Sequence, residues 1–207
     1  MFKAWSFLTA LSNLNSSFNK KEDEYENTLE GPNWLDVRTE DRLYKDRDPE
    51  VLVVGSGQAG LSIAARLKQQ NIDTLVIDKN ERVGDNWRNR YHSLKLHNQT
   101  HVNHLPYMPF PPTWPTYIPK DKLAGWFEYY AESMELNVWT KTTFISAEYD
   151  EAEKNWKVIL RLSDGNERIL KPKHIVMAVG VSSVPNRNKI PGMEGYKGKV
   201  IHSTDYS

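Results

Sequence analysis

The chain has 207 residues, a formal net charge of zero from 27 basic and 27 acidic side chains, 39% apolar residues and no cysteine. A balanced charge gives no electrostatic footprint for nucleic acid and no long-range pull towards a membrane surface. Without thiols there are no disulfides, thiolate metal sites or cysteine nucleophiles, so any redox chemistry must come from a bound cofactor.

No apolar run approaches the roughly 20 residues needed to span a bilayer. Residues 1 to 18 read as an amphipathic helix, with Ala4, Trp5, Leu8, Leu11 and Phe18 near one face, rather than as a targeting signal. A cysteine-free chain without a clear signal leads to the expectation of a cytoplasmic protein. Residues 19 to 50 are polar and charged and read as a linker with one anchoring patch, Trp34-Leu35; Pro49 stops any helix there.

Val51 to Val54 is the first predicted strand, and its unbroken apolar character suits a parallel strand buried on both faces. The turn Gly55-Ser56-Gly57-Gln58-Ala59-Gly60 follows, then a helix over 59 to 69 that offers Leu61, Ala64, Ala65 and Leu67 to the sheet. Thr74 to Ile77 is the second strand, closed by Asp78, 18 residues past Gly60. This is the spacing of a βαβ dinucleotide-binding unit. Gly55 makes the turn, Gly57 lets a pyrophosphate approach the backbone, Gly60 lets helix pack on strand, and Asp78 accepts from an adenosine ribose.

The stretch 81 to 118 reads as a long loop holding Trp87, Tyr91, Tyr107, Phe110, Trp114 and Tyr117, with five prolines between 106 and 115. Gly84-Asp85-Asn86-Trp87 reads as a loop that brings backbone and Trp87 against a flat cofactor ring. The aromatic loop suits either a packed surface loop or a wall for a flat ligand. His97, His101 and His104 lack a helical frame and a carboxylate, so no metal site is expected there, although His97 is a candidate for lining the active site.

Helical periodicity returns over 120 to 136, with Leu123, Phe127, Tyr130 and Met134 on one face, and Val138-Trp139 suggests a short strand. Residues 143 to 174 read as three antiparallel strands with turns at EAEKN and DGN, a meander inserted in a parallel fold. His174 to Gly180 reads as a buried strand ending in glycine, and 196 to 206 as a strand ending in a polar turn.

Together these residues resemble the flavin-containing monooxygenases, class B flavoproteins related to the Baeyer–Villiger and plant indole-pyruvate monooxygenases. The resemblance runs from about residue 50 to the last residue. Tyr196, Gly198, His202 and Tyr206 match the family's identifying pattern, Phe-x-Gly-x-x-x-His-x-x-x-Phe/Tyr, with Tyr in the first place. Gly84 to Trp87 resembles the family's flavin loop. Met177 to Gly180 resembles its Ala-Thr-Gly strand end with Val in place of Thr. The run also looks like fungal members, which suggests a fungal origin.

The resemblance implies an α/β fold: a Rossmann-like FAD-binding domain with a parallel sheet and an inserted antiparallel β-meander, of the two-dinucleotide-binding flavoprotein type. It implies FAD held by Gly55, Gly57, Gln58, Ala59, Gly60, Asp78, Lys79, Gly84, Asn86, Trp87, His97 and Gly180, and NADPH held by a second dinucleotide domain. The implied reaction reduces the flavin with NADPH and passes one oxygen of O₂ to a small nucleophilic (N or S) or carbonyl substrate. No catalytic side chain is assigned, because the cofactor carries the chemistry.

The family's second glycine motif is expected shortly after residue 206, where this sequence stops. The chain is therefore expected to be a fragment: residues 1 to 49 the helix and linker that end a preceding domain, and 50 to 207 the first portion of the FAD domain, with the NADPH site largely absent. Two further expectations stand beside the monooxygenase: a catalytically inactive flavoprotein module that acts by binding, and a NAD(P)-linked reductase.

Overall fold

The computed structural model describes residues 31–181 and 185–206. The expected helix at 1 to 18 lies outside them. The frame is a parallel four-stranded sheet in the order β5-β2-β1-β9, built from β1 (Val51–Val54), β2 (Thr74–Ile77), β5 (Asn137–Trp139) and β9 (His174–Met177). Val51 pairs with Thr74 on one side and with His174 on the other, and the register runs evenly to Val54.

Alternation along β1 and β2 splits their apolar side chains between two cores. Val51, Val53 and Val76 face the helices α2 (Gln58–Gln69) and α4 (Lys120–Ser133), packing with Leu61, Ala64, Leu123, Phe127 and Tyr130. Leu52, Val54, Leu75 and Ile77 face the meander β6 (Thr143–Asp150), β7 (Asn155–Arg161) and β8 (Glu167–Leu170), packing with Val158, Leu160 and Leu170. An unbroken apolar run is thus what a strand covered on both faces needs. The meander is antiparallel, as expected. Its first turn is held by Asp150 Oδ1, which accepts from the N–H groups of Ala152 and Glu153 at 2.9 and 3.0 Å. In the second, Gly165 adopts a left-handed φ of 86°.

Three expectations need correction. Residues 34 to 47 are not a free-running linker. Trp34–Asp41 is a helix, α1, started by a capping box between Asn33 and Asp36. The buried anchors of the segment are Arg38 in α1 and Tyr44 beyond it; Leu35 is exposed, and Trp34, also exposed, is tied through Nε1, which donates to Glu135 at 2.7 Å. Tyr44 is fully buried in the meander-side core, and its hydroxyl donates to Asp73 at 2.8 Å and accepts from Asn137 at 3.1 Å. Arg38 donates to the Glu135 carbonyl at 2.5 Å and to Asn137 at 2.8 Å. Arg168 on β8 donates to the Leu43 and Tyr44 carbonyls, tying the segment to the meander as well. Pattern reading misses this because buried polar anchors carry no hydrophobic period.

Second, β9 forms but is only half-buried, with Met177 57% exposed, because it is the edge of the described sheet. Third, residues 196 to 206 hold no strand. One 3₁₀ turn spans Met193–Gly195 and another Ser203–Asp205, the latter capped by His202, whose Nδ1 accepts from Thr204 N at 3.1 Å. The long loop is also more ordered than its prolines suggest. It contains a short helix α3 (Asp85–Arg88) and an antiparallel pair, β3 (Lys95–Gln99) with β4 (Tyr117–Pro119). No helix among the described residues is long and apolar enough to cross a membrane.

If α1 and its extension are part of the core, Tyr44→Ala should lower the unfolding free energy by about 3–5 kcal/mol, as large aromatic truncations do. Leu35→Ala should change it by less than about 0.5 kcal/mol. Urea unfolding followed by tryptophan fluorescence measures both, and equal small effects would make the segment a linker after all.

Candidate cofactor site

The site begins where β1 ends. Gly55 turns the chain with φ 108°, and a Cβ there would lie 2.5 Å from the Ala178 carbonyl oxygen. A Cβ on Gly60 would collide with the Gly55 carbonyl. The first turn of α2 is thereby held against the strand end. Gly57 is the N-cap of this 12-residue helix, with no side-chain cap and no acidic residue in the first turn. The N–H groups of Gln58, Ala59 and Gly60 are the orphan donors of a helix start, at the positive end of its dipole. A Cβ on Gly57 would meet only the Asn86 amide, at 3.3 Å.

Asp78 stands beside this turn at the end of β2. Its Oδ2 accepts from the backbone N–H of Ser56 at 2.8 Å and from the Ser56 hydroxyl at 2.6 Å. Its Oδ1 accepts from Asn80 N at 2.9 Å. A carboxylate has about four acceptor positions; three are used, and the remaining one is on Oδ1. Lys79 follows on the exposed side. Ser56 is almost fully buried and fixes the carboxylate; its variable place inside the glycine motif gave no signal in the sequence.

The second wall comes from α3 and α4. Gly84 adopts φ 91° as the N-cap of α3, and a Cβ there would strike the Ala124 carbonyl of α4. Charge pins the same loop. Glu128 on α4 accepts from Arg82 Nε and Nη2 at 3.0 and 2.7 Å and from Arg88 Nη2 at 2.9 Å. Arg88 also donates to Asp85 and to the Val83 carbonyl, both at 2.8 Å. This clamp sets Asn86 against Gly57. Trp87 packs half-buried on the helix-side core, and its Nε1 is buried with no acceptor among the described residues. Sequence reading found Gly84, Asn86 and Trp87 but not Ala124, Arg82, Arg88 or Glu128, because the clamp spans 40 or more residues of chain.

The remaining candidates are not all gathered here. Gly180 lies two residues beyond Ala178, with φ 72° and open space around it. His97 is exposed on β3, and no hydrogen bond or ring contact joins it to the glycine turn. Tyr196 and Tyr206 are exposed; the Tyr196 ring fills the space a Gly198 side chain would take, and Tyr206 lies 5.8 Å from the Tyr91 ring. The aromatic loop resolves towards packing. Phe110 stacks on Trp114 at 4.8 Å, and both lean on Trp126 of α4 at 5.4 and 5.3 Å. His104 accepts from Phe110 N at 2.9 Å.

Comparison with known proteins places this geometry. Residues 49–207 match the pyridine nucleotide-disulphide oxidoreductase family. Indole-3-pyruvate monooxygenase YUCCA1 of Oryza sativa subsp. japonica is 32% identical over 159 residues, covering 76% of this chain. Probable indole-3-pyruvate monooxygenase YUCCA4 of Arabidopsis thaliana is 31% identical over the same length. The chain spans 38% of the length of each. A flavin-containing monooxygenase from Stenotrophomonas maltophilia superposes with TM-score 0.66 at 21% identity, over 77% of this chain and 47% of that one. A cyclohexanone monooxygenase superposes with TM-score 0.62 at 24% identity, over 78% of this chain and 31% of that one. The fold is that of two-dinucleotide-binding flavoproteins. The expected fungal origin finds no support in these plant and bacterial proteins.

The clamp has a pH signature. Hydrogen bonding from Arg82 holds the Glu128 carboxyl below its ordinary value of 4.5. Burial raises Asp85, but hydrogen bonds from Arg88 and the Arg82 N–H outweigh it, so its pKa also lies below the ordinary 3.8. Groups depressed in the folded state stabilise it above their unfolded pKa, and that stability is lost as pH falls through the folded values. Glu128→Gln should therefore cost only about 1 kcal/mol at pH 7, since the pair is partly exposed. It should also flatten the loss of stability below roughly pH 4.5. Thermal unfolding of both proteins across pH 3–7 (a buffer range on the order of the carboxylate pKa values) checks this, and parallel acid limbs would count against the clamp.

Proposed function

The chain belongs to the pyridine nucleotide-disulphide oxidoreductase family, and on that footing we propose that it is the FAD-binding portion of an NADPH-dependent flavin monooxygenase. The reaction transfers one oxygen of O₂ to a small nucleophilic or carbonyl substrate. The observation that carries the reading is the uncapped, acid-free start of α2 beside a carboxylate with one acceptor position left.

These residues fit the cofactor. Gln58, Ala59 and Gly60 N–H groups receive the diphosphate, where the helix dipole favours negative charge. Gly57 leaves the space that a side chain would fill. Asp78 Oδ1 accepts from an adenosine ribose hydroxyl while Ser56 keeps Oδ2 fixed. Asn86 and Trp87 flank the ligand from the clamped loop. FAD, when bound, supplies the electron and oxygen-transfer chemistry. The chain's own residues bind, orient and shield it from water.

Two observations bear on the reaction class. A dithiol–disulphide exchange needs thiols, and these 207 residues contain none. The substrate named for the plant relatives, indole-3-pyruvate, is a 2-oxo acid and falls in the carbonyl arm of the proposal.

Added FAD should quench tryptophan fluorescence with saturation at one equivalent, and the complex should be yellow. Gly57→Val should weaken FAD affinity by about 100-fold, roughly 2.7 kcal/mol, through lost space for the diphosphate. Its unfolding midpoint should barely move, because the neighbouring Asn86 amide is exposed and can shift. Unchanged affinity in that variant would falsify the assignment. The 207 residues hold a single G-x-G-x-x-G turn, so FAD-loaded protein is expected to bind flavin without oxidising NADPH above the free-flavin rate.

A further inference from the structure

We propose that a second cleft, between the residues after α3, the start of α4 and the turn at Asp205, is a subsite for the carboxylate or phosphate group of a small ligand. It is an open cleft of about 400 Å³ lined by Asn89, Arg90, His92, Lys120, Asp205 and Tyr206, among others. No residue of the glycine turn lines it.

Its charges do not cancel from within. Asp205 is the one carboxylate of the lining, and Arg187 engages both of its oxygens, at 2.7 and 2.8 Å. Arg90 forms no ion pair with a carboxylate among the described residues. Its Nε donates to the Asn86 carbonyl at 3.1 Å, which fixes the guanidinium and leaves both terminal nitrogens as donors. Lys120 is only 7% exposed. Its ammonium donates to the Arg88 carbonyl at 2.9 Å and to Asp121 at 2.7 Å, and one of its three hydrogens remains. Asp121 has a side chain 69% exposed, so water screens that pair. A buried ammonium compensated by a solvent-screened carboxylate favours a further anion.

Lys120 is also the first residue of the 14-residue α4, whose N-cap Pro119 has no side-chain cap, so the helix dipole carries the same sign, offset in the first turn only by the exposed Asp121. The cleft borders the cofactor loop, since Arg90 holds the backbone of Asn86, the residue whose amide faces Gly57. A planar Arg fork with a point-charge Lys is the donor set that carboxylates and phosphates share.

The experiment is calorimetric titration of the full 207-residue chain with sodium benzoate, inorganic phosphate and, as a neutral isostere, benzamide. We expect at least one anion to bind and benzamide to bind about tenfold more weakly or not at all. Arg90→Gln should weaken anion binding about tenfold, as loss of a charge-assisted contact does, with an unchanged unfolding midpoint. Stronger benzoate binding assigns the cleft to a carboxylate, stronger phosphate binding to a phosphate group; either supports the subsite. Binding of neither anion, equal binding of benzamide, or indifference to Arg90→Gln overturns it. Gly57→Val separates this inference from the flavin reading: that variant should lose FAD and keep the anion. Displacement of the anion by FAD in the unmodified chain would assign it to the dinucleotide's own site and overturn a separate cleft.

Discussion

The whole arrangement hangs on one close approach. Gly60, in the first turn of α2, sits against the Gly55 carbonyl with no room for a Cβ, and Gly55 has none against Ala178. These contacts set the angle at which α2 leaves β1. They bring the free N–H groups of its first turn to the carboxyl ends of β1 and β2, beside Asp78. They also lay Leu61, Ala64 and Ala65 on the sheet. A single methyl at either position would push the helix start off the strand end, and the donors, the dipole and the core face would move together.

The sheet that supports this turn is covered differently on its two faces. On one, helices and the aromatic loop bury valines of β1 and β2. On the other, the meander and Tyr44 bury the alternate residues Leu52, Val54, Leu75 and Ile77. The second face is partly a polar construction. Tyr44, Asn137, Arg38, Asp41 and Asp73 hydrogen-bond one another around an aromatic plug, Arg168 donates to the Tyr44 carbonyl, and Arg38 Nε stays buried without a partner among the described residues. Such a network is costly if half-made, so the segment before β1 and the edge strand β5 stand or fall together. Trp139 reinforces it, its Nε1 donating to the Arg42 carbonyl at 2.6 Å and its ring lying 4.8 Å from the Arg168 guanidinium.

The opposite wall of the candidate site is held to α4 in two ways at once. Gly84 lets the loop touch Ala124, and Glu128 receives two arginines that flank the loop. Neither alone would orient Asn86, since a surface ion pair contributes little without the steric contact that sets its geometry. Arg90 and Lys120 extend the same logic outward: each donates to loop backbone, which leaves Arg90 its terminal nitrogens and Lys120 one hydrogen beside the neighbouring cleft.

Local pattern determined a good deal. The βαβ unit, the long helix, the meander with both of its turns and the glycines and acid of the dinucleotide turn all follow from periodicity and from backbone needs that few residues meet. Those signals are short-range, so a single chain displays them. What depended on contact between distant segments was silent. Ser56 on Asp78, Glu128 between Arg82 and Arg88, Tyr44 under the meander, and the self-stacking of Phe110, Trp114 and Trp126 join residues that no spacing rule links. The sequence by itself determined that a glycine turn of dinucleotide-binding spacing joins β1 to α2 and that Asp78 closes the next strand. The tertiary structure alone decided what fixes those atoms in place and which polar groups remain unspent, because satisfaction of a buried donor is a property of the folded neighbourhood, not of the residue.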